Sequence, residues 1–458
     1  MRNLRIIPTA TALAALAAFT VSVRADELSD LREALRALEQ KILVLERKQE
    51  LKDEAAAAAP KPTIVTAADS RVEIASGDGA TSLRLRGLVQ ADYRWYDAAN
   101  NPNDTFLLRR ARLIFEGKFN NIFSYVVQPE LAGTIQILDA NLNAAFSPAF
   151  NLRAGKFKTP VGLEQLQSDP VAFFNERSVA TGLTPNRDTG IAVHGDVLDK
   201  TVNYTVAVLN GVPDGGNNVT GSADFDDDKT VAVRVFATPF ANDKESFLNG
   251  LGFGVGASQG DFATSAGRAA SYRTDGQQNF FSYDASVVAA GRGRTISPQG
   301  YFYRGPLGIL AEYVISSIDV QRPTFGVREV KNHAYNLSVG YVLTGESSTY
   351  RGVTPKTAFN PKNGTWGAFE VVARVAGVDI DDTAFAGPAA SRLANPNTSA
   401  TKLTTYALGL NWYLSRSVRA GFNIYHNEFD LAPGATPAAN ALIADDETTF
   451  ISRLQVSF

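Results

Sequence analysis

The 458-residue chain has no cysteine, one methionine and only three histidines. Without thiols it has neither disulfides nor thiolate metal sites, which suits a chain exported unfolded. His194, His333 and His426 each sit in an alternating stretch with no acidic or nucleophilic motif nearby, so acid–base and nucleophilic catalysis have little to draw on. There is also no HExxH and no phosphate-cradling glycine loop. The expectation is therefore no enzyme, no cofactor and no metal. The acidic runs Asp224 to Asp228 and Asp379 to Asp382 read as solvated loop tips rather than calcium sites. A basic excess is missing too: 44 Lys and Arg stand against 47 Asp and Glu, and without the three arginines of 1–25 the balance is 41 against 47. That argues against a nucleic-acid partner. Past residue 60, polar or charged residues interrupt every apolar run within a few positions, too soon for a membrane helix.

The N-terminus has the form of an export signal. Arg2 and Arg5 precede an uncharged, apolar or small stretch from Ile6 to Val23, and Val23-Arg24-Ala25 fits a small-x-small cleavage site before Asp26. From Asp26 to about Glu54, Leu28, Leu31, Leu35, Leu38, Ile42 and Leu45 are spaced 3-4-3-4-3, the a/d seam of a short coiled coil. A coil this short depends on the oligomer formed by the rest of the protein; the competing reading is a lone amphipathic helix. Residues 55–80, opening with AAAAAPKP, read as a linker.

From 81 to 458 the period changes to two. Leu83, Leu85, Gly87, Val89, Ala91, Tyr93 and Trp95 alternate with Arg84, Arg86, Gln90, Asp92 and Arg94: a lipid-facing stripe with an aromatic end, opposite a polar lumen face. The same pattern recurs around Val233, Leu337, Val371 and Leu408. Short connections at Asn120-Asn121, 304–306 and 415–417 alternate with long Gly, Asp and Asn-rich ones such as 213–229, 379–402 and 431–447. Counting this way gives sixteen strands, starting near 82, 106, 123, 136, 151, 190, 201, 230, 251, 294, 307, 333, 366, 403, 418 and 448; the least defined stretch is 262–293. The fold class is all-β: a sixteen-stranded antiparallel transmembrane β-barrel with an N-terminal α-helical coiled-coil segment, placed in an outer membrane with lipid around it and the helix in the periplasm. The last strand carries Phe450, Leu454, Val456 and Phe458 on one face, so Phe458 reads as the signal for outer-membrane assembly machinery. Alternation also sets Arg84, Arg86 and Arg94 on one face, Arg110 and Arg112 on another, and Lys156 with Lys158 on a third.

Several blocks resemble the phosphate-selective porin O/P family: LLRRARL at Leu107 to Leu113, NLRAGKFKTPVGLE at Asn151 to Glu164, NERS at Asn175 to Ser178, Leu209-Asn210-Gly211, GYVLTGE at Gly340 to Glu346, WGAFEVVAR at Trp366 to Arg374, and NWYL at Asn411 to Leu414. The resemblance covers essentially everything after the linker. It implies a homotrimeric porin passing small hydrophilic solutes, with anions such as phosphate preferred, and a third loop, about 159–190, folded inward. It also implies that lumen arginines guide anions toward lysines at the constriction: here Arg84, Arg86, Arg94, Arg110 and Arg112, then Lys156 and Lys158. Glu164, Asp169, Glu176, Arg177 and Arg187 fall within that loop. The competing reading of these rows is a wall of internal salt bridges, because Asp92, Glu116, Glu130, Asp139, Glu312 and Glu370 should also face the lumen. A rival role for the helix is a tether to the cell envelope.

Overall fold

The computed structural model describes residues 25–58, 63–68, 71–218, 227–262, 270–323 and 325–458. Apart from Ala25, the expected export signal lies outside these residues. The chain divides into two units, 1–62 and 63–458. The first is a single helix, α1 (Ala25–Ala58). It runs past the expected 54 because alanine is the strongest helix former, and it stops short of Pro60. Its leucine seam is uncovered: Leu31 is 65 % and Leu45 64 % exposed.

The second unit opens with a hairpin, β1 (Ile64–Ala68) and β2 (Arg71–Ala75), followed by β3 (Ser82–Asp97), β4 (Thr105–Phe119), β5 (Phe123–Glu130), β6 (Gln136–Ser147), β7 (Phe150–Lys158), β8 (Arg187–Val197), β9 (Val202–Leu209), β10 (Thr230–Ala237) and β11 (Leu251–Phe262). A small separate hairpin comes next, β12 (Tyr272–Arg273) and β13 (Asn279–Phe281). Then come β14 (Val288–Arg304), β15 (Leu307–Gln321), β16 (Val327–Val342), β17 (Ala368–Asp379), β18 (Lys402–Tyr413), β19 (Val418–Asp430) and β20 (Glu447–Ser457). Sixteen of these, β3 to β11 and β14 to β20, pair antiparallel in sequence order, and β20 closes onto β3 from Ser457↔Leu88 to Thr448↔Asp97. The barrel is thus closed, with no edge exposed along that seam.

Two features depart from the expected organisation. Part of the stretch read as a linker is the β1–β2 hairpin: β2 pairs with the start of β3, from Val72↔Leu85 to Ala75↔Ser82, covering the β3 edge that β20 does not reach. Ile64, Val65, Val72 and Ile74 are the β-branched residues that favour this. The 262–293 stretch holds the β12–β13 hairpin, and β14 and β16 start at Val288 and Val327, earlier than 294 and 333.

Residues facing outward are apolar and open, such as Phe106, Leu108, Tyr406, Leu408 and Leu454. Those facing inward are polar and buried, such as Asn332, Asn336, Thr405, Asn411 and Asn423. This inverts a soluble core and matches a wall between lipid and a filled lumen. At the end bearing the long loops, the inward loop residues Val179, Ala180 and Leu183 pack with Tyr272, Phe280 and Phe281 of the small hairpin and with Leu403, Leu442 and Ile443. At the opposite end most connections are tight, but 343–367 is long.

Candidate pore and its charge lining

Residues 159–186, between β7 and β8, fold into the barrel. A loop inside a lumen must satisfy its own backbone, and the inward polar residues of the wall supply the partners. Gln299 Nε2 donates to Val161 O at 2.6 Å and Asn411 Nδ2 to Phe173 O at 2.8 Å, while Asn175 N donates to Asn423 Oδ1 at 2.8 Å. The loop amide of Leu163 donates to Glu312 Oε1 at 2.8 Å. Close approach needs glycine at Gly256, where a Cβ would fall 2.2 Å from Val161 O.

The loop's acids collect the wall's arginines. Glu176 accepts from Arg94 at 2.8 Å, Arg109 at 2.8 Å and Arg453 at 2.7 Å. Asp169 pairs with Arg112, with Arg177 at 2.6 Å and with Arg110 at 3.3 Å. Glu164 binds Arg374 at 2.6 Å. Burial pushes the Glu176 carboxyl up, but the surrounding Arg109, Arg453, Arg110 and Arg94 outweigh it and hold it well below the usual carboxylate range. Of the remaining basic rows, Arg84 pairs with Glu73 and Glu116, and Arg86 with Glu116.

Arg109 escapes the alternation argument. Gln90 pairs with Arg110 and Ala91 with Leu108, so Arg109 is the extra residue of a β-bulge and joins Arg110 in the lumen. Arg374 and Arg453 stood on polar faces of their strands, but nothing local tied them to a loop some 200 or more residues away in sequence.

Two expected placements are corrected. Lys156 and Lys158 do not act as a pair at the constriction. Lys156 lies in the row of Ala140, which pairs with outward Val127, and its ammonium donates to Ile137 O at 2.9 Å and Asn218 O at 2.5 Å. The residue between the lysines, Phe157, takes the lumen side with Arg153. Lys158, where the chain turns inward, donates to Gln165 O at 2.7 Å and Gln167 O at 2.8 Å, so it anchors the loop. Arg187 belongs to β8 rather than the loop, and pairs with Asp139 at 3.1 Å.

Beneath the inward loop, toward the tight-turn end, lies a cavity of about 960 Å³. Among the described residues, its lining has eight basic side chains, Arg86, Arg112, Arg153, Lys158, Arg187, Arg351, Arg416 and Arg419, and two acidic ones, Asp139 and Asp169. Arg86, Arg112 and Arg187 are paired as above. Arg153, Arg351 and Arg419 have no carboxylate within 4 Å among the described residues. Phe458 closes the same end: Gly87 N donates to its carbonyl at 2.8 Å, its own N donates to Gly87 O at 3.0 Å, and its ring covers Gly87.

The three histidines contact Asn143, Tyr313 and Thr448. Asp381 is committed as a cap, accepting from Thr383 N and Lys331 N at 2.8 Å each. The 224–228 run falls mostly outside the described residues.

Porin O of Pseudomonas aeruginosa is 26 % identical to this chain over 425 residues, covering 86 % of this chain and 92 % of the relative. Two solved structures share the fold. OmpT, an outer membrane protein of Vibrio cholerae solved in a trimer form, gives a TM-score of 0.51 at 13 % identity, covering 83 % of this chain and all of the other. An anion-selective porin from Comamonas acidovorans gives 0.50 at 14 % identity, with 82 % of this chain and all of the other covered. The family described as Phosphate-selective porin O and P matches residues 83–458, the whole closed barrel. This chain belongs to that family, as an outer-membrane porin.

Proposed function

We propose that the barrel passes small hydrophilic solutes by passive diffusion and prefers anions, phosphate among them. The observation carrying this reading is the cavity lining of eight basic side chains against two acidic ones among the described residues, with Arg153, Arg351 and Arg419 having no carboxylate within 4 Å there. Net positive charge in a narrow passage walled by protein raises the local concentration of anions. The family description and the anion-selective Comamonas relative point the same way. The test is the reversal potential of the reconstituted protein in planar bilayers under chloride and phosphate gradients. An anion-selective sign is expected; a cation-selective or zero potential defeats the preference while leaving the porin.

The working unit is read as a homotrimer, in keeping with the trimer form described for OmpT, with α1 contributing a three-stranded periplasmic coil through its open seam. The rival, a helix that tethers the envelope, is favoured if removing 26–58 leaves trimers intact but weakens envelope attachment. Phe458, locked to Gly87 at the closing seam, is read as the residue recognised during assembly. Deleting it should lower the yield of heat-modifiable folded protein in the outer membrane, and a normal yield counts against that role.

A further inference from the structure

A buried hydroxyl normally finds a partner, because an unmade hydrogen bond leaves a desolvated dipole. Two threonines break that rule at one place. Thr159, where the inward loop starts, is 1 % exposed, and Thr230, the first residue of β10, is 7 % exposed. The Oγ1 atoms of both are buried without a hydrogen-bond partner. Both residues line a small chamber of about 20 Å³, set between the root of the inward loop and the wall strands β9, β10, β11, β14 and β15.

The same chamber receives two carboxylates, Asp188 and Asp214. Asp188 Oδ2 accepts from Gly211 N at 2.7 Å, and a Cβ on Gly211 would lie 3.0 Å from Thr230 Oγ1, so acid and hydroxyl meet around one residue. Asp214 accepts from Ser316 Oγ at 2.7 Å and Tyr272 OH at 3.1 Å. Both bonds fall on Oδ2, and the carboxylate has no cationic side chain within 4 Å among the described residues. Arg294 is the one basic lining residue among them, but its side chain is exposed in the outward row of Ile296. Three backbone bonds align the segments that contribute. Thr159 N donates to Asn186 O at 2.7 Å, Asn186 N to Gly216 O at 3.0 Å, and Gly215 N to Thr184 O at 2.9 Å.

We propose that this chamber binds one hard divalent cation of calcium's size, held by Asp214 and the hydroxyls of Thr159 and Thr230, with Asp188 completing the charge balance. Two carboxylates offset two positive charges, and an all-oxygen donor set suits calcium rather than a metal that seeks thiolate or imidazole. The volume admits an ion with about one water, too little for magnesium, which keeps several waters. The bound ion ties the root of the inward loop to the wall, so it stiffens the element that narrows the lumen. No metal motif announces the site in the sequence, because residues 159, 188, 214 and 230 come from four separate segments. The site is independent of the anion preference proposed above and lies apart from the arginine-lined cavity.

The test follows the thermal midpoint of the full-length protein in detergent, stripped with EDTA and titrated with calcium chloride at constant ionic strength. A saturable rise is expected in the wild type, with one calcium bound per chain in equilibrium dialysis. D214N and T230V should each raise the half-saturating calcium concentration by about tenfold for one lost ligand. T230V also guards against a folding artefact. Valine has the shape of threonine, and the hydroxyl it removes has no internal partner, so the calcium-free midpoint should stay level or rise. A wild type without a saturable response overturns the site and leaves the chamber to water. So does a wild-type half-saturating concentration in either variant, or a T230V protein less stable than wild type in EDTA.

Discussion

At the height of the inward loop, six arginines (Arg94, Arg109, Arg110, Arg112, Arg177 and Arg453) converge on Glu176 and Asp169. In the cavity below, Arg153, Arg351 and Arg419 have no carboxylate within 4 Å among the described residues. The two regions use one residue type for different work. In the upper cluster the cations hold a loop across a lumen, and their fields are largely cancelled at a distance by the acids they grip. In the lower cavity the charge is left over, so it reaches a passing ion. Counting arginines on lumen faces therefore says little about selectivity until their partners are known.

The comparison breaks most visibly at Glu176. E176Q leaves Arg94, Arg109 and Arg453 crowded without a counter-charge, and loss of one member of a buried ion pair costs about 3–5 kcal/mol. A clear fall in the thermal midpoint of the folded protein in detergent is expected. An unchanged midpoint would mean the upper cluster is not what holds the loop. A gentler test contrasts the regions directly. R153Q removes an unpaired charge and should move the reversal potential toward cations. R86Q together with E116Q removes a neutral pair and should leave it nearly where it was. Equal shifts from the two would erase the distinction drawn here.

The smallest expected effect concerns the loop end, where carboxylates rather than cations are buried with little compensation. Asp214 accepts from Ser316 Oγ at 2.7 Å and Tyr272 OH at 3.1 Å, yet burial raises its carboxyl to about 7. Burial likewise raises Asp275 to about 7 despite the pull of Arg374. A folded-state value above the unfolded one, near 3.9, favours the protonated fold. The stabilisation is full below that lower value and is lost as pH rises through about 7. The thermal midpoint should fall between pH 5 and pH 8, and D214N should flatten part of that slope. A slope identical to wild type would remove Asp214 from the account.

Much of the wall was legible because its chemistry is local. Alternation gave the strand starts to within a few residues over most of the barrel, and it set Arg84, Arg86 and Arg94 on the face opposite the exposed Leu83, Val89 and Trp95. It failed where the period slips or the partner is distant. Arg109 was hidden by a bulge, and Lys156 was given the lumen because nothing in Gly155-Lys156-Phe157-Lys158 says which parity faces inward. Arg374, Arg419 and Arg453 meet their loop partners only when the barrel closes, so no local pattern announces them. The β1–β2 hairpin was missed because alanine and proline just before it read as a spacer.

The bulge at Arg109 has an evolutionary corollary. In a wall whose faces alternate residue by residue, one inserted position would work like a frameshift, but a bulge absorbs it: the extra residue joins its neighbour on one face and the ladder resumes with the other side chains in place. Below Arg109, Ala111, Leu113 and Phe115 share the outer row; above it, Phe106 and Leu108 do. Deleting this single residue would leave a regular ladder, Leu108 opposite Ala91 and Arg110 opposite Gln90, with Phe106 and Leu108 still on the lipid side and one cation taken from Glu176. A one-residue loss at this position is therefore absorbed locally, whereas the same loss in a regular stretch of strand would turn the rest of that strand inside out.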